Sequence, residues 1–190
     1  MPKILVFSGS IRRDSVNRRL AQVAAAAVSA AGGEVTLLDL REYPLPIYDG
    51  DLEDAEGLPA NAVALKTIFK AHAGLFIVSP EYNGFFPPLL KNTIDWLSRP
   101  HGAESGLAPY AGKVAAIAAA SPGGLGGIRC LPLLRQQLSN LSVTVLPQQL
   151  ALPSADRAFD ESGALRDAGQ ASSLQRIAAE LLRVTGLLAG

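Results

Sequence analysis

Two short stretches of the chain concentrate the residues that could do chemistry. The first is Ser8-Gly9-Ser10-Ile11-Arg12-Arg13-Asp14-Ser15-Val16-Asn17, which gathers hydroxyls, guanidinium groups and a side-chain amide just ahead of a helical pattern. A helix N-terminus presents unpaired N–H groups and the positive end of a dipole, so donors collected there suit an anion. Ser10, Ser15 and Asn17 can add neutral donors, and Arg12 can add a charge-assisted bond. The same residues also suit a plain helix cap at Ser15 or Asn17 with solvated arginines. The loop has no Gly-x-Gly-x-x-Gly, which disfavours a dinucleotide site, and no Gly-Lys-Ser/Thr ending, which disfavours a nucleotide triphosphatase. A single phosphate, held by side chains and backbone amides, fits it best.

The second stretch runs from Ser79 to Pro100 and contains Pro80-Glu81-Tyr82-Asn83-Gly84-Phe85-Phe86-Pro87. Tyr82 offers a flat face to a ring system, and Gly84 allows a backbone amide to come close to it. An ordinary Pro/Asn/Gly turn with its aromatics tucked into the core is the competing reading. Other chemistries find little support. His72 and His101 are isolated, which gives no metal-ligand spacing, and the single cysteine, Cys130, excludes an internal disulfide. Cys130 has no base near it in sequence and reads as a buried small residue, and His101 as an exposed loop histidine.

These stretches need a scaffold, and the pattern of the chain supplies one. Short apolar runs alternate with segments of helical period, as in a parallel sheet covered on both faces. Strands are expected at Ile4–Phe7, Val35–Leu38, Leu75–Val78, Val114–Ala120 and Val143–Leu146. Helical stripes follow Asn17 and Pro59, a third runs through Leu90, Thr93, Ile94 and Leu97, another lies beyond the glycines 123–127, and a last one runs through Leu174, Ile177, Ala178, Leu181 and Leu182. The acidic stretch around Asp49, Asp51, Glu53 and Asp54 reads as a solvated loop. The right-handed crossover rule then favours a five-stranded, doubly wound, flavodoxin-like sheet in the order 2-1-3-4-5, in one domain over residues 1–190. Ligands of such sheets lie at the carboxyl ends of the strands, where both stretches fall.

Composition narrows the partners. Lys plus Arg and Asp plus Glu both number 17, so no global charge argues for a nucleic acid or a membrane surface. The chain has no apolar run of membrane-spanning length and no signal-peptide layout, so a cytoplasmic location is expected.

The motif Gly9-Ser10-Ile11-Arg12-x-x-Ser15-x-Asn17, together with Pro80-Glu81-Tyr82-Asn83-Gly84 and Leu90-Lys91-Asn92-x-Ile94-Asp95-Trp96, resembles the NADPH-dependent FMN reductase family. That group includes quinone- and chromate-reducing enzymes and some azoreductases. The resemblance spans strands one to four and is weaker beyond residue 150. It implies that Ser10, Arg12, Ser15 and Asn17, with Val16, hold the phosphate of FMN. It also implies that Pro80, Glu81, Tyr82, Asn83 and Gly84 border the isoalloxazine, with Ser121 as a further contact. Lys91, Asn92, Asp95 and Trp96 read as structural. The activity implied is transfer of hydride from NAD(P)H through flavin N5 to quinones or other small acceptors, in ping-pong fashion and without a protein nucleophile. Relatives assemble as homodimers or homotetramers. An electron-carrying flavodoxin is the alternative, although such carriers tend to be strongly acidic. One departure is Phe85, where relatives often have a small polar residue. Either Phe85 stands at the mouth of the cleft, or it turns inward and Phe86 faces solvent.

Overall fold

The computed structural model describes residues 1–188; Ala189 and Gly190, the end of the expected domain, lie outside the described residues. Strands β1 (Lys3–Ser8), β2 (Glu34–Leu38), β3 (Gly74–Ser79), β4 (Val114–Ala120) and β5 (Thr144–Leu152) form one parallel sheet in the order β2-β1-β3-β4-β5. The interleaved helices are α1 (Val16–Ala30), α2 (Gly50–Glu56), α3 (Ala60–Lys70), α4 (Pro88–Leu97), α5 (Cys130–Asn140) and α6 (Ala168–Leu188). The expected strand order and fold class hold.

Both faces of the sheet are buried, which explains why the central strands read as continuous apolar runs. Side chains alternate between two clusters. Leu5 and Phe7 of β1 join Leu65, Ile94 and Leu134, from α3, α4 and α5, on one face. Ile4 and Val6 join Leu20 of α1 and Leu174, Ile177 and Leu181 of α6 on the other. β4 is almost all alanine, with Ala115 and Ala119 in the first cluster and Ala116, Ala118 and Ala120 in the second. Chain order reverses between β1 and β3, so the loops leaving these strands diverge and open a crevice at their carboxyl ends.

Two elements differ from the sequence expectation. The acidic stretch is helical, not a loop: Asp49 caps α2 by accepting from the Asp51 N–H at 2.9 Å, and Asp51 and Glu53 sit in its first turn, where the helix dipole favours carboxylates. Glu53 is not merely solvated either. It accepts from Arg99 Nε at 2.7 Å and from the Tyr48 hydroxyl at 2.9 Å, tying α2 to the end of α4. The fifth strand starts at Thr144, leaving Val143 outside, and runs on to Leu152 through a register shift opposite Ala115 and Ile117. Arg135 fills that irregularity, donating to the carbonyls of Val145 at 3.1 Å and Leu146 at 2.6 Å. Among the described residues, no helix is long and apolar enough to cross a membrane.

Candidate functional site

The loop after β1 delivers its polar groups to the start of α1. Ser15 is the N-cap, and its Oγ accepts from the Arg18 N–H at 3.4 Å. The N–H groups of Val16 and Asn17, in the first turn, have no carbonyl of their own helix to bond. Ser10 is buried and accepts from the Arg12 N–H at 3.4 Å, while Arg12 itself is exposed. Gly9 passes so close to α4 that an added Cβ would sit 3.1 Å from the Leu90 side chain. Asn17 differs from expectation: its side-chain amide is bonded to the backbone of Ala120, at 2.9 Å and 2.8 Å.

The loop after β3 is a tight hairpin. Tyr82 and Phe85 exchange both backbone bonds, at 2.8 and 3.0 Å, around Asn83 (φ 52°) and Gly84 (φ 87°). Two successive positive φ values are the signature of an Asn-Gly turn of type I′. Open space surrounds the Gly84 Cα, so its glycine answers a conformational demand and not a crowded contact within the chain. Directly paired residues of a hairpin share a face, so Tyr82 and Phe85 lie side by side, and they are 54% and 48% exposed. Phe86 is 3% exposed and belongs to the core, which overturns the alternative of an inward Phe85 and an outward Phe86. The two rings meet all the same, with centroids 4.7 Å apart, so the exposed Phe85 rests on the buried Phe86.

Glu81 sits between the strand and the hairpin. Its carboxylate accepts from the Arg129 N–H at 2.9 Å and from Arg129 Nε at 2.6 Å. The loop after β4 runs from Ser121 to Arg129 and is pressed against the sheet by Gly126 and Gly127. A Cβ on Gly126 would lie 2.8 Å from the backbone of Leu152, and one on Gly127 2.8 Å from Ala119 Cβ. Ser121 Oγ accepts from the Gly123 N–H at 3.2 Å. Cys130 is fully buried at the start of α5, and burial pushes its thiol up to about 11, with a Ser79 hydrogen bond opposing the rise and the Glu81 carboxylate adding to it.

The three loops enclose a cleft of about 330 Å³. It is lined by Ser10, Arg12, Ser15, Val16 and Asn17 from the loop after β1 and the start of α1, by Pro80, Glu81 and Tyr82 from the loop after β3, and by Ser121 just past β4. Asn83 and Gly84 form the hairpin tip and are not part of the lining. Five further residues complete the wall: Asp14, Arg19, Ala120, Pro122 and Asp156. Arg19 is one turn beyond the cap and stacks its guanidinium 4.4 Å from the Phe159 ring centroid, a pairing between α1 and the loop after β5. The spacing from Ser15 could have flagged Arg19; Asp156 carries no such signal. The segment expected to be structural is so: Asn92 accepts from the Tyr48 N–H at 2.8 Å, Trp96 Nε1 donates to Pro46 O at 2.8 Å, and Lys91 pairs with Asp95 at 2.6 Å. His101 is exposed and forms a small backbone bridge with Glu104.

Comparison with known proteins bears on the fold and the family. The chain is 38% identical over 144 residues to a quinone reductase of Escherichia coli K12, covering 76% of this chain and 73% of the relative. It is 37% identical over 166 residues to an NAD(P)H-dependent FMN reductase of Pseudomonas aeruginosa, covering 87% and 85%. In three dimensions it superimposes on the flavoenzyme NAD(P)H:(acceptor) oxidoreductase FerB of Paracoccus denitrificans with a TM-score of 0.84 and 26% identity, over 98% of both chains. The family model described as NADPH-dependent FMN reductase matches residues 2–157, a span holding all three loops of the cleft, and the chain belongs to that family.

Proposed function

We propose that this protein is an FMN-dependent NAD(P)H:quinone oxidoreductase. The observation that carries the reading is the cleft's mixed lining. A cap hydroxyl, first-turn N–H groups, Arg12 and an exposed tyrosine ring share it, at the switch point of a doubly wound sheet. Its volume of about 330 Å³ lies within the range of small-molecule sites. These features suit a ligand with a flat ring and a single phosphate, which FMN is. Ser10, Arg12, Ser15 and the N–H groups of Val16 and Asn17 take the phosphate; Pro80, Glu81, Tyr82 and Ser121 border the ring, with Asn83 and Gly84 shaping the hairpin that carries Tyr82. Bound there, FMN would supply two-electron chemistry between NAD(P)H and an acceptor.

The chain's own part is to bind and orient. The half-exposed Tyr82 offers its ring in the cleft to flat molecules, which favours a nicotinamide and a quinone visiting in turn over a large docked protein. The names of the relatives, quinone reductase and FMN reductase, point the same way. The test is anaerobic. Purified protein should be yellow, bleach on addition of NADPH or NADH, and recover its colour on addition of a benzoquinone. Colour that neither nicotinamide bleaches would indicate an electron carrier, and a colourless protein that takes up no FMN would overturn the reading.

A further inference from the structure

Asn17 is 4% exposed, and both ends of its amide are spent on one residue far along the chain. Its Nδ2 donates to Ala120 O at 2.9 Å, and its Oδ1 accepts from Ala120 N at 2.8 Å. Ala120 is the last residue of β4. Its neighbour Ser121 donates to Leu152 O on the β5 side, so the N–H and C=O of Ala120 face the other way, towards β3. There β3 has ended at Ser79, which is in register with Ala119, so the ladder stops one residue short of Ala120. A side-chain amide carries one donor and one acceptor in the same arrangement as a peptide unit.

We propose that Asn17 is a positioning residue whose amide stands in for the missing strand neighbour of Ala120. In this role it fixes the direction in which Ser121 and Pro122 leave the sheet to line the cleft. The proposal rests on the reading that FMN occupies the cleft, and it reassigns the side chain of Asn17 from the phosphate to the support of Ser121 and Pro122. Anchored on the first turn of α1, the same residue ties that turn to the end of β4.

Riboflavin, which lacks the phosphate, separates the roles. Flavin-free full-length protein is titrated with FMN and with riboflavin, following flavin fluorescence, for the wild type, Arg12→Ala and Asn17→Ala. Arg12→Ala should weaken FMN alone. Asn17→Ala should weaken both flavins by the same factor, roughly tenfold, because a stretch no longer held must be ordered on binding. Loss of FMN affinity with riboflavin binding untouched would make Asn17 a phosphate ligand and overturn the proposal, as would unchanged affinity for both. A second measurement needs no variant: in flavin-free wild type the Ala120 amide should exchange slowly with deuterium, and rapid exchange would overturn the proposal even if Asn17→Ala fails to fold. Wild type that binds neither flavin would instead defeat the FMN reading itself.

Discussion

Glu81 and Arg129 join two of the three loops of the cleft, the carboxylate accepting from both the backbone N–H and the Nε of the arginine. The glutamate side chain is 6% exposed and the arginine side chain 60%, so the pair is lopsided: a sheltered anion covered by a solvated cation. Arg129→Ala removes the cover and leaves the backbone bond. The expected cost is about 1 kcal/mol of stability, typical of a pair with one exposed partner. Flavin affinity should fall by a few-fold, as the hairpin loses a tether. Thermal melts and flavin titrations of the variant check both, and a variant bound as tightly as wild type would show that the hairpin holds its shape unaided.

Phe85 and Phe86 are adjacent and should behave as opposites. Phe85→Ser removes a half-exposed ring that packs on Phe86 at 4.7 Å, so stability should fall by about 0.5–1.5 kcal/mol. If the ring stacks on flat acceptors beside Tyr82, kcat/KM for an aromatic quinone should drop about two- to tenfold, the equivalent of one aromatic contact. Phe86→Ala empties a core site and should cost about 3–5 kcal/mol. Equal catalytic efficiency in wild type and Phe85→Ser would remove Phe85 from acceptor recognition.

With one cleft serving donor and acceptor in turn, initial-rate plots at several fixed quinone concentrations should be parallel in the double-reciprocal form. Intersecting lines would mean that both are bound together, which needs a second site.

Cys130 should be chemically silent in the folded protein. Its thiol lies at about 11, so the reactive thiolate is scarce at pH 8, and its sulfur donates to Gly127 O at 3.2 Å in a fully buried position. Iodoacetamide at pH 8 should leave the native chain unmodified by mass spectrometry and alkylate it once in denaturant. Rapid labelling of native protein would show that the α5 start opens readily.

Asp39 gives stability a dependence on acid. A side-chain hydrogen bond from Arg41 holds its carboxyl below the ordinary 3.8, outweighing its partial burial, and the Arg41 N–H and the Arg18 charge act in the same direction. The folded state therefore binds this proton less readily than the unfolded chain. The contribution is complete above the ordinary carboxylate value and is lost as pH falls through the lower, folded one. Asp39→Asn should lower stability at neutral pH and flatten the acid limb of a stability–pH profile. Identical profiles would show that the Arg18–Asp39 link between α1 and the end of β2 contributes nothing.

The sheet and its order were legible because the strands are buried on both faces and the helices keep one apolar stripe. The cleft was legible where motif residues lie close together in sequence, as at Ser10–Asn17 and Pro80–Gly84. What escaped depended on distance or on local competition. The partner of Asn17 is 103 positions away, and no spacing rule reaches it. Asp156 comes from the loop after β5 and owes its place to the path of the chain. Helix α2 was hidden by its own acids, which look solvated until Asp49 is seen as a cap and Arg99 as a partner. The length of β5 was masked by Pro147, which suggests a strand's end where the structure has an irregularity that Arg135 fills.

The alanines of β4 carry a consequence for how this protein can change over evolutionary time. Every residue from Val114 to Ala119 has no exposed surface, and helices press on both sides of the strand. Enlarging any of the alanines would lift a helix off the sheet, at about 1–3 kcal/mol for each overpacked site. The strand also ends at Ala120, part of the lining of the cleft, so such a bulge would shift that lining. The least negotiable letters of the sequence therefore include residues that touch no ligand and do no chemistry. Drift in substrate preference has to come from exposed positions on the loops that carry the site, such as Ile11, Tyr82 and Leu125, where new side chains can be tried without disturbing what lies beneath.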